Sequence, residues 1–213
     1  MSSGVELARL LRRRGIRDGR VLDAIGRVRR EEFVPAEVAD RAYDNRALPI
    51  GHGQTISQPF MVATICAELE LRGGERVLDV GTGSGYQAAV LAELAAEVVT
   101  IERVPELAER ARETLARAGY PRVDVRLGDG TAGVPERAPF DGIAVAAAAP
   151  AVPLSLYEQL VSGGRLVVPV GNRESQWLEV VVRGEDGPKR HRSVPCVFVP
   201  LIGESGFADQ EAG

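Results

Sequence analysis

The feature that most constrains this chain is a short apolar run that breaks into alternating glycines. Residues 77–80 include two β-branched side chains, which is typical of a buried parallel strand. Gly81, Gly83 and Gly85 follow at alternate positions, and the helix-forming stretch 87–94 comes directly after them. Because glycine has no Cβ, such a turn lets the backbone bend tightly and approach a ligand. The strand, the turn and the helix predict the first half of a nucleotide-binding βαβ unit.

The spacing of these glycines separates two classes of nucleotide site. A dinucleotide fingerprint that starts at Gly81 requires glycine at position 86, where this chain has Tyr86. Asp79 stands just before the turn, and its carboxylate would repel a pyrophosphate but suits a cationic ligand. S-adenosylmethionine fits, because it has no phosphate, carries a sulfonium and an ammonium group, and keeps an adenosine ribose. The glycines alone are also compatible with a tight turn that binds nothing.

Two further acids follow predicted strands. Glu102 ends the strand 97–102, at the place where folds of this plan bind the hydroxyl pair of a ribose. Asp129 follows the strand 123–127, and we expect it to accept a hydrogen bond from an adenine amino group. Ligands in open parallel sheets lie outside the carboxyl ends of the strands, so both acids should face one site. The alternatives are a solvated carboxylate for Glu102 and a local hydrogen bond within a turn for Asp129.

Hydrophobic periodicity predicts a group of helices followed by a mostly parallel sheet. Helices are expected at 5–14, 18–28, 36–43, 60–69, 87–94, 106–118 and 154–160, and strands at 77–80, 97–102, 123–127, 140–146, 164–170, 177–183 and 192–199. The turn at 184–188 predicts a hairpin of the last two strands, so one strand should run antiparallel. Alternating β and α units are typical of a doubly wound α/β sheet.

Residues 44–59 show no periodicity and form the longest predicted loop. Long loops inside compact domains tend to be functional. Ser57 lies just before Pro59 and the helix 60–69, so it is a candidate N-cap. At a helix start its hydroxyl would also lie beside free backbone N–H groups, which suits the binding of a carboxylate. Both roles stay open.

Length and composition are those of an ordinary single-domain globular protein. The chain has 213 residues, of which 45% are hydrophobic and 26% charged, and its net charge is −4. This balance gives no support to nucleic-acid binding. The arginines between residues 9 and 30 are expected to form the solvated face of two helices, with a dock for acidic substrates as the alternative. The two cysteines, together with the absence of a secretory or long apolar stretch, favour a cytoplasmic protein without membrane contact. Two histidines cannot build a metal site between them, so no metal is expected.

Five stretches, in chain order, are residues 48–59 (LPIGHGQTISQP), 77–87 (VLDVGTGSGYQ), 128–131 (GDGT), 147–150 (AAAP) and 198–204 (FVPLIGE). Together they resemble the protein-L-isoaspartate O-methyltransferase family, in the family's order and across most of the chain. The glycine loop is shared by many methyltransferases. The Gly-Gln-Thr-Ile-Ser-Gln-Pro loop is specific to this family, so the resemblance is strong.

The resemblance implies a Rossmann-like class I methyltransferase fold with an N-terminal helical cap. A single domain is expected, in which residues 1–60 form the helices and the substrate loop, 61–204 the core and 205–213 a frayed tail. The implied reaction moves a methyl group from S-adenosylmethionine to the α-carboxylate of L-isoaspartyl residues in damaged proteins and peptides, and leaves S-adenosylhomocysteine. The ester then closes to a succinimide, which begins the repair. A monomer is expected, with isoaspartyl peptides as its partners.

The implied site has a cofactor part and a substrate part. The cofactor part is Asp79, Gly81, Thr82, Gly83, Ser84, Gly85, Glu102, Gly128, Asp129 and Gly130. The substrate part is Gln54, Thr55, Ile56 and Ser57, with Ser57 beside the reacting carboxylate. A carboxylate with a pKa of about 4 is already ionised at pH 7, so no strong general base is required. Catalysis would depend on holding the carboxylate and the methyl group together, an effect of up to roughly 7–11 kcal/mol.

Two positions depart from the family pattern, and both bear on substrate contacts. Ala146 stands where threonine is common, and Val197 where arginine is common. Two alternative functions stay open. One is an aspartyl O-methyltransferase that tailors a biosynthetic peptide, and the other is a non-catalytic relative whose cleft binds a partner. The three acids Asp79, Glu102 and Asp129 speak against the second, because a site without a ligand has no physical need for them.

Overall fold

One seven-stranded sheet organises the fold of residues 3–209, the part of the chain that the computed structural model describes. The helices are α1 (Gly4–Arg13), α2 (Gly19–Arg27), α3 (Pro59–Glu68), α4 (Tyr86–Ala92), α5 (Pro105–Arg117) and α6 (Leu154–Glu158). The strands are β1 (Leu48–Gly51), β2 (Gln54–Ile56), β3 (Arg76–Val80), β4 (Glu97–Glu102), β5 (Asp124–Leu127), β6 (Phe140–Val145), β7 (Leu160–Gly171), β8 (Gln176–Gly184) and β9 (Gly187–Cys196). Short 3₁₀ turns lie at Arg30–Phe33, Ala36–Arg41, Gly130–Ala132 and Pro135–Arg137.

The strand order of the large sheet is β5-β4-β3-β6-β7-β8-β9, which leaves β5 and β9 at its edges. Strands β3 to β7 are parallel, and β8 is antiparallel to both of its neighbours. This confirms the predicted doubly wound sheet with one antiparallel strand. The chain leaves β3 for β4 on one side and later returns to β6 on the other. The carboxyl end of β3 is therefore the topological switch point, where such sheets bind ligands.

Helices and turns cover both faces of the sheet. Successive strand residues point to opposite sides, so both faces carry apolar side chains that need cover. Val77 belongs to a buried cluster that also contains Leu11 of α1 and Ile25 of α2. Leu78 belongs to the cluster on the other face, together with Leu156 of α6. The N-terminal helical cap thus shares a hydrophobic core with the sheet. The predicted N-cap of α2 is confirmed, since the Asp18 carboxylate accepts hydrogen bonds from the first-turn backbone.

Two predictions for residues 36–59 were wrong. The expected helix at 36–43 is a short 3₁₀ turn, and the expected loop contains an antiparallel hairpin of β1 and β2, in which Leu48 pairs with Ile56. The strands of this hairpin are only 4 and 3 residues long, too short for a clear alternation of apolar and polar residues. The Arg110 guanidinium donates to the backbone oxygen of Ile50, which ties the hairpin to α5.

The expected solvated arginine face is also only partly correct. Arg9, Arg12 and Arg13 are exposed as predicted, whereas Arg30 is fully buried, with 0% exposure. Arg20 is tied to the core by its guanidinium, which donates to the backbone oxygens of two distant residues. Charge density in the sequence does not reveal which arginine of a run turns inward.

The predicted frayed tail lies partly outside the described residues, which end at Asp209. Of the described part, the Phe207 backbone N–H donates to the Leu201 oxygen at 2.8 Å, and Asp209 forms an ion pair with Arg103 at 2.6 Å. Within residues 3–209, no helix is both long and apolar enough to cross a bilayer. The same residues contain no cluster of three or more His, Cys, Asp or Glu side chains suited to a metal ion.

Candidate active site

The glycine turn between β3 and α4 is fixed by backbone hydrogen bonds and close packing. The Gly81 N–H donates to the Ile101 oxygen at 2.9 Å. Gly85 has a φ of +89°, a left-handed conformation that side chains rarely adopt. A Cβ on Gly85 would lie 3.1 Å from Cγ of Leu115. The predicted tight turn is therefore present, and it packs closely against α5.

Glu102 brings the end of β4 against this turn. Its Oε2 accepts a hydrogen bond from the Gly83 N–H at 2.8 Å. Its Oε1 accepts from the backbone N–H groups of Arg103 and Val104, at 2.9 and 3.0 Å. Three donors thus hold the carboxylate in one orientation. The prediction that the glycine turn and this acid lie together is confirmed. The assignment of a ribose to Glu102 stays a prediction.

Asp79, two residues before the first glycine of the turn, lies in the interior of the protein. Its carboxylate is fully buried, and it accepts from Gln87 Nε2 at 2.7 Å and from Thr100 Oγ1 at 3.0 Å. Thr100 Oγ1 is in turn 2.7 Å from Thr82 Oγ1. Burial raises the pKa of Asp79 to about 7. Asp79 therefore does not line the cavity itself but is linked to it by Gln87 directly and by Thr82 through Thr100.

Asp129 makes the local contacts of a turn residue. One carboxylate oxygen accepts from the backbone N–H and the hydroxyl of Thr131, at 2.8 and 2.7 Å, and the other accepts from the Glu204 N–H at 2.9 Å. These hydrogen bonds keep the pKa of Asp129 below its usual value despite partial burial, which acts in the opposite direction. The contacts favour the turn interpretation, and a hydrogen bond to adenine stays a prediction.

A cavity of about 530 Å³ lies at the carboxyl end of β3 and joins the two predicted parts of the site. The predicted residues that line it are Gln54, Thr55, Ile56, Ser57, Gly81, Thr82, Gly83, Ser84, Glu102 and Gly130. Four predicted residues do not line it, namely Asp79, Gly85, Gly128 and Asp129. The loop 54–57 therefore meets the glycine turn in a single space, although the two are separate in the sequence.

The start of α3 excludes the N-cap alternative that the sequence left open for Ser57. Gln58 occupies the cap position and makes no side-chain cap bond. Asn45 supplies the bond instead, since its Oδ1 accepts from the Phe60 N–H at 3.0 Å. The Met61 and Val62 N–H groups donate to the Gln58 oxygen. These helix-start amides are therefore paired, and Ser57 keeps only its place in the cavity wall.

A second cavity of about 560 Å³ adjoins the first. Thr55, Ser57, Ala146 and Val199 line both. Val197, one of the two positions that depart from the family pattern, also lines this second cavity, and 73% of its surface is exposed. The other departing position, Ala146, lies where the two spaces meet. The departures thus concern the second space and its junction with the first.

Several lining residues were not assigned from the sequence. Apart from Ala146, they are His52, Gly53, Val62, Val80, Tyr86, Gln87, Ile101, Arg103, Val104, Ala147, Arg173, Val199, Pro200, Leu201, Ile202 and Asp209. Most of the apolar lining residues belong to the five stretches that carry the family resemblance, so those stretches could have identified them. Arg173 and Asp209 had no such signal, because only the folded chain brings β7, β8 and the tail to this edge.

Comparison with known proteins agrees with this geometry. The family model described as protein-L-isoaspartate(D-aspartate) O-methyltransferase matches residues 2–206. Protein-L-isoaspartate O-methyltransferase 2 of Marinobacter nauticus is 57% identical over 196 residues, which cover 91% of this chain and 90% of that protein. The protein-L-isoaspartate O-methyltransferase of Methanoculleus marisnigri is 54% identical over 200 residues, which cover 92% and 90%.

A solved structure shows the same likeness in three dimensions. It is a Plasmodium falciparum protein assigned to protein-L-isoaspartate O-methyltransferases and crystallised with S-adenosyl-L-homocysteine. Its TM-score is 0.84 at 26% identity, and the match covers 95% of this chain and 99% of that one. The resemblance seen in the five sequence stretches is thereby confirmed. This chain belongs to the protein-L-isoaspartate(D-aspartate) O-methyltransferase family.

Proposed function

We propose that this chain transfers a methyl group from S-adenosylmethionine to the α-carboxylate of L-isoaspartyl residues in damaged proteins and peptides, which initiates repair through a succinimide. The observation that carries the proposal is the single cavity in which the glycine turn and Glu102 meet the loop 54–57. The relatives that are 57% and 54% identical carry the name of this activity and match about the whole chain, which supports it.

The lining residues suit the proposed cofactor. Glu102 supplies a fixed anionic acceptor for ribose hydroxyls, and the glycine turn gives close access to the backbone. Ile101, Val104 and Leu201 supply apolar walls of the kind that a purine ring packs against. Behind the wall, the ionised form of Asp79 contributes negative charge that favours a cationic ligand, and this form grows as the pH rises through the pKa of about 7. Gly130 lies next to this apolar part, where we place the adenine.

The proposed chemistry requires positioning more than proton transfer. When bound, S-adenosylmethionine supplies an activated methyl group to a carboxylate oxygen. The loop 54–57 would hold that carboxylate, with the Ser57 hydroxyl as the donor, while Thr55 shapes the junction between the two cavities and Ile56 lines the first. No proton is exchanged in this step, so the chain needs no catalytic acid or base. Holding both reactants in line is worth up to roughly 7–11 kcal/mol.

The proposed activity is tested with two peptides that differ only in an isoaspartyl or an aspartyl linkage. Radiolabelled methyl transfer should reach the isoaspartyl peptide and leave the aspartyl peptide unmodified. Equal transfer to an aspartyl peptide would point instead to a tailoring enzyme. Tight binding of S-adenosylmethionine without any methyl transfer would point to a non-catalytic relative.

Removal of the Glu102 carboxylate tests the ribose assignment. Glu102→Ala should weaken S-adenosylmethionine binding by about 1.5–3 kcal/mol, the usual contribution of hydrogen bonds to a charged acceptor. Isothermal titration calorimetry measures this change. Glu97→Ala is the control, because Glu97 begins the same strand and pairs with Arg76 away from the cavity. Unchanged cofactor affinity in a folded Glu102→Ala protein would refute the assignment.

We also propose that the protein acts as a cytoplasmic monomer on its peptide substrates, without nucleic acid or membrane. The cavity wall described above comes from one chain, and the net charge of −4 gives no attraction to nucleic acid. Both cysteines are free thiols, which suits a reducing compartment. Sedimentation velocity should give the mass of one chain, and a concentration-dependent dimer would contradict the monomer.

A further inference from the structure

Arg30, the first residue of the 3₁₀ turn after α2, is a fully buried arginine. Arginine is almost never fully buried unless it is paired. Within residues 3–209, no Asp or Glu side chain forms an ion pair or a hydrogen bond with Arg30. Burial lowers the pKa of Arg30 to about 10, so the guanidinium still carries its charge at neutral pH. A buried charge of this kind costs stability unless its contacts compensate for it.

The contacts of Arg30 join three segments, two of which border the cavity. Its Nε donates to the Ala42 oxygen at 2.8 Å, and its Nη2 donates to the Ser57 oxygen at 2.9 Å. Its Cζ lies 4.6 Å from the centre of the Tyr86 ring, within the range of a cation–π interaction. One side chain therefore connects the N-terminal cap, the end of the substrate loop and the first residue of α4.

The Tyr86 ring makes this connection rigid. It packs edge-on against Phe33, with ring centres 5.8 Å apart, and it lines the cavity beside the glycine turn. Arg30 is therefore clamped between the ring and two carbonyl groups. A planar guanidinium can make these contacts together, because its donors lie in a fixed fork. The peptide after Ser57 is anchored separately, since Gln58 Nε2 donates to the Asn45 oxygen at 2.9 Å.

We propose that Arg30 is a positioning residue, whose guanidinium fixes the Ser57 carbonyl against the Tyr86 ring and so sets where the loop holds the acceptor carboxylate. This inference rests on the proposed function, because it assumes that Ser57 contacts the acceptor. The held carbonyl fixes the direction of the Ser57 side chain. The buried positive charge also contacts the backbone of Ser57, the residue proposed to hold the acceptor carboxylate, and screening by water is weak at this buried position.

Two substitutions separate the geometry from the charge. Arg30→Met removes both, and Arg30→Lys keeps the charge but not the planar fork. Arg30→Met should raise KM for an isoaspartyl peptide roughly ten- to a hundredfold, the effect of losing hydrogen bonds to a charged group. Arg30→Lys should lie between this variant and the wild type. Calorimetry should show S-adenosylmethionine affinity within about twofold of the wild type for both, because the hydrogen bonds of Arg30 go to the Ala42 and Ser57 carbonyls and not to the glycine turn or Glu102.

Arg20→Met is the matched control for a purely structural role. Arg20 also belongs to the cap and donates to two backbone oxygens, of Leu71 at 2.6 Å and Leu94 at 3.0 Å, away from the cavity. The Arg20→Met substitution should lower the melting temperature, while the peptide KM stays at the wild-type value. A wild-type peptide KM in folded Arg30→Met, or an equal rise in Arg20→Met, overturns the proposal. If Arg30→Met does not fold, Arg30→Lys decides: a raised KM supports the proposal, and a wild-type KM overturns it.

Amide hydrogen exchange gives a readout that needs no substrate. In the Arg30 variants, exchange in residues 52–58 should be faster than in Arg20→Met, relative to the rest of each protein. Equal exchange in this loop overturns the proposal. A wild-type protein that fails to methylate isoaspartyl peptides would refute the proposed function, and the exchange experiment would still report whether Arg30 fixes the loop.

Discussion

At the scale of single residues, the start of α3 separates binding from stability. Asn45 supplies the side-chain bond that caps the helix, while Ser57 lies half-buried in the wall of both cavities. The two side chains are close in space, yet they serve the helix and the cavity respectively. Substitution of each one should therefore affect a different property of the protein.

Ser57→Ala should lower kcat/KM for an isoaspartyl peptide about ten- to a hundredfold, because one charge-assisted hydrogen bond of roughly 1.5–3 kcal/mol is lost. Its melting temperature and S-adenosylmethionine affinity should stay near the wild type. Asn45→Ala should instead cost about 0.5–2 kcal/mol of stability, the usual effect of a lost N-cap. Thermal melts and kinetics on the same preparations test both. Full activity in Ser57→Ala would remove Ser57 from the active site.

Asp79 should give stability an unusual dependence on pH. The pKa of an unfolded Asp is about 3.9, whereas burial raises the folded value to about 7. Between these values the folded state binds more protons than the unfolded state. The contribution of protonated Asp79 to the free energy of unfolding is therefore complete below pH 4 and is lost as the pH rises through 7.

The comparison of wild type with Asp79→Asn isolates this titration, because other carboxyl groups are common to both proteins. From pH 5 to 7 the unfolding free energy of the wild type should fall relative to the variant, by at most about 1.4 kcal/mol per pH unit. Above pH 8 the difference should level off. Urea unfolding at each pH measures it, and a difference that is constant from pH 5 to 8 would contradict the elevated pKa.

The residue positions that could be predicted are those that follow from a place on a strand. Glu102 ends a strand and points into the site, as strand-end acids do in parallel sheets. Asp79 is the penultimate residue of β3, but side-chain packing placed it behind Gln87, and periodicity carries no information about packing. The burial of Arg30 depends on Tyr86 and Ser57, which are distant in the sequence, so no local pattern could reveal it.

At the scale of elements, the glycine turn and its contact with α5 can be tested by a pair of substitutions. Gly85 and Gly119 have similar φ values, +89° and +93°. A Cβ on Gly119 would meet nothing within 4 Å, whereas one on Gly85 would meet Leu115. The two positions therefore share the backbone strain and differ in packing.

Gly119→Ala should cost about 1–2 kcal/mol from left-handed strain alone. Gly85→Ala should cost about 1–3 kcal/mol more, because α5 is overpacked. Only the Gly85 substitution should weaken S-adenosylmethionine binding, since only that turn borders the cavity. Urea unfolding and calorimetry measure these effects. Equal losses of stability would show that the Leu115 side chain yields without cost.

Most elements could be predicted because each has a long periodic signal. Strand β4 matches its predicted bounds, 97–102, and α5 is shifted by one residue at each end. The hairpin of β1 and β2 was missed because its strands are short, and its turn contains His52 with a positive φ of 52°. Strand β9 begins earlier than predicted, since it pairs with β8 back to a tight turn at Gly184 and Gly187.

At the scale of the whole molecule, the cap and the sheet share one hydrophobic cluster. We therefore propose that residues 1–213 form one folding unit, with a single cooperative thermal transition. S-adenosylmethionine at 100 times its Kd should add about 2.7 kcal/mol of stability and raise the melting temperature by about 5–11 °C. Scanning calorimetry tests both. A separate thermal transition of the cap would contradict the single folding unit. A melting temperature that does not change with the cofactor would contradict its binding.

The two edges of the sheet determine whether a partly unfolded chain can pair with this protein and aggregate. A free strand edge is a template on which another chain can add a strand and aggregate. Strand β5 is only 4 residues long, and β9 carries Pro188, Lys189, Arg190 and Pro195. Short length, proline and lysine are the features by which edges resist such pairing. A partly unfolded substrate can thus present its isoaspartyl residue to the cavity without joining the sheet.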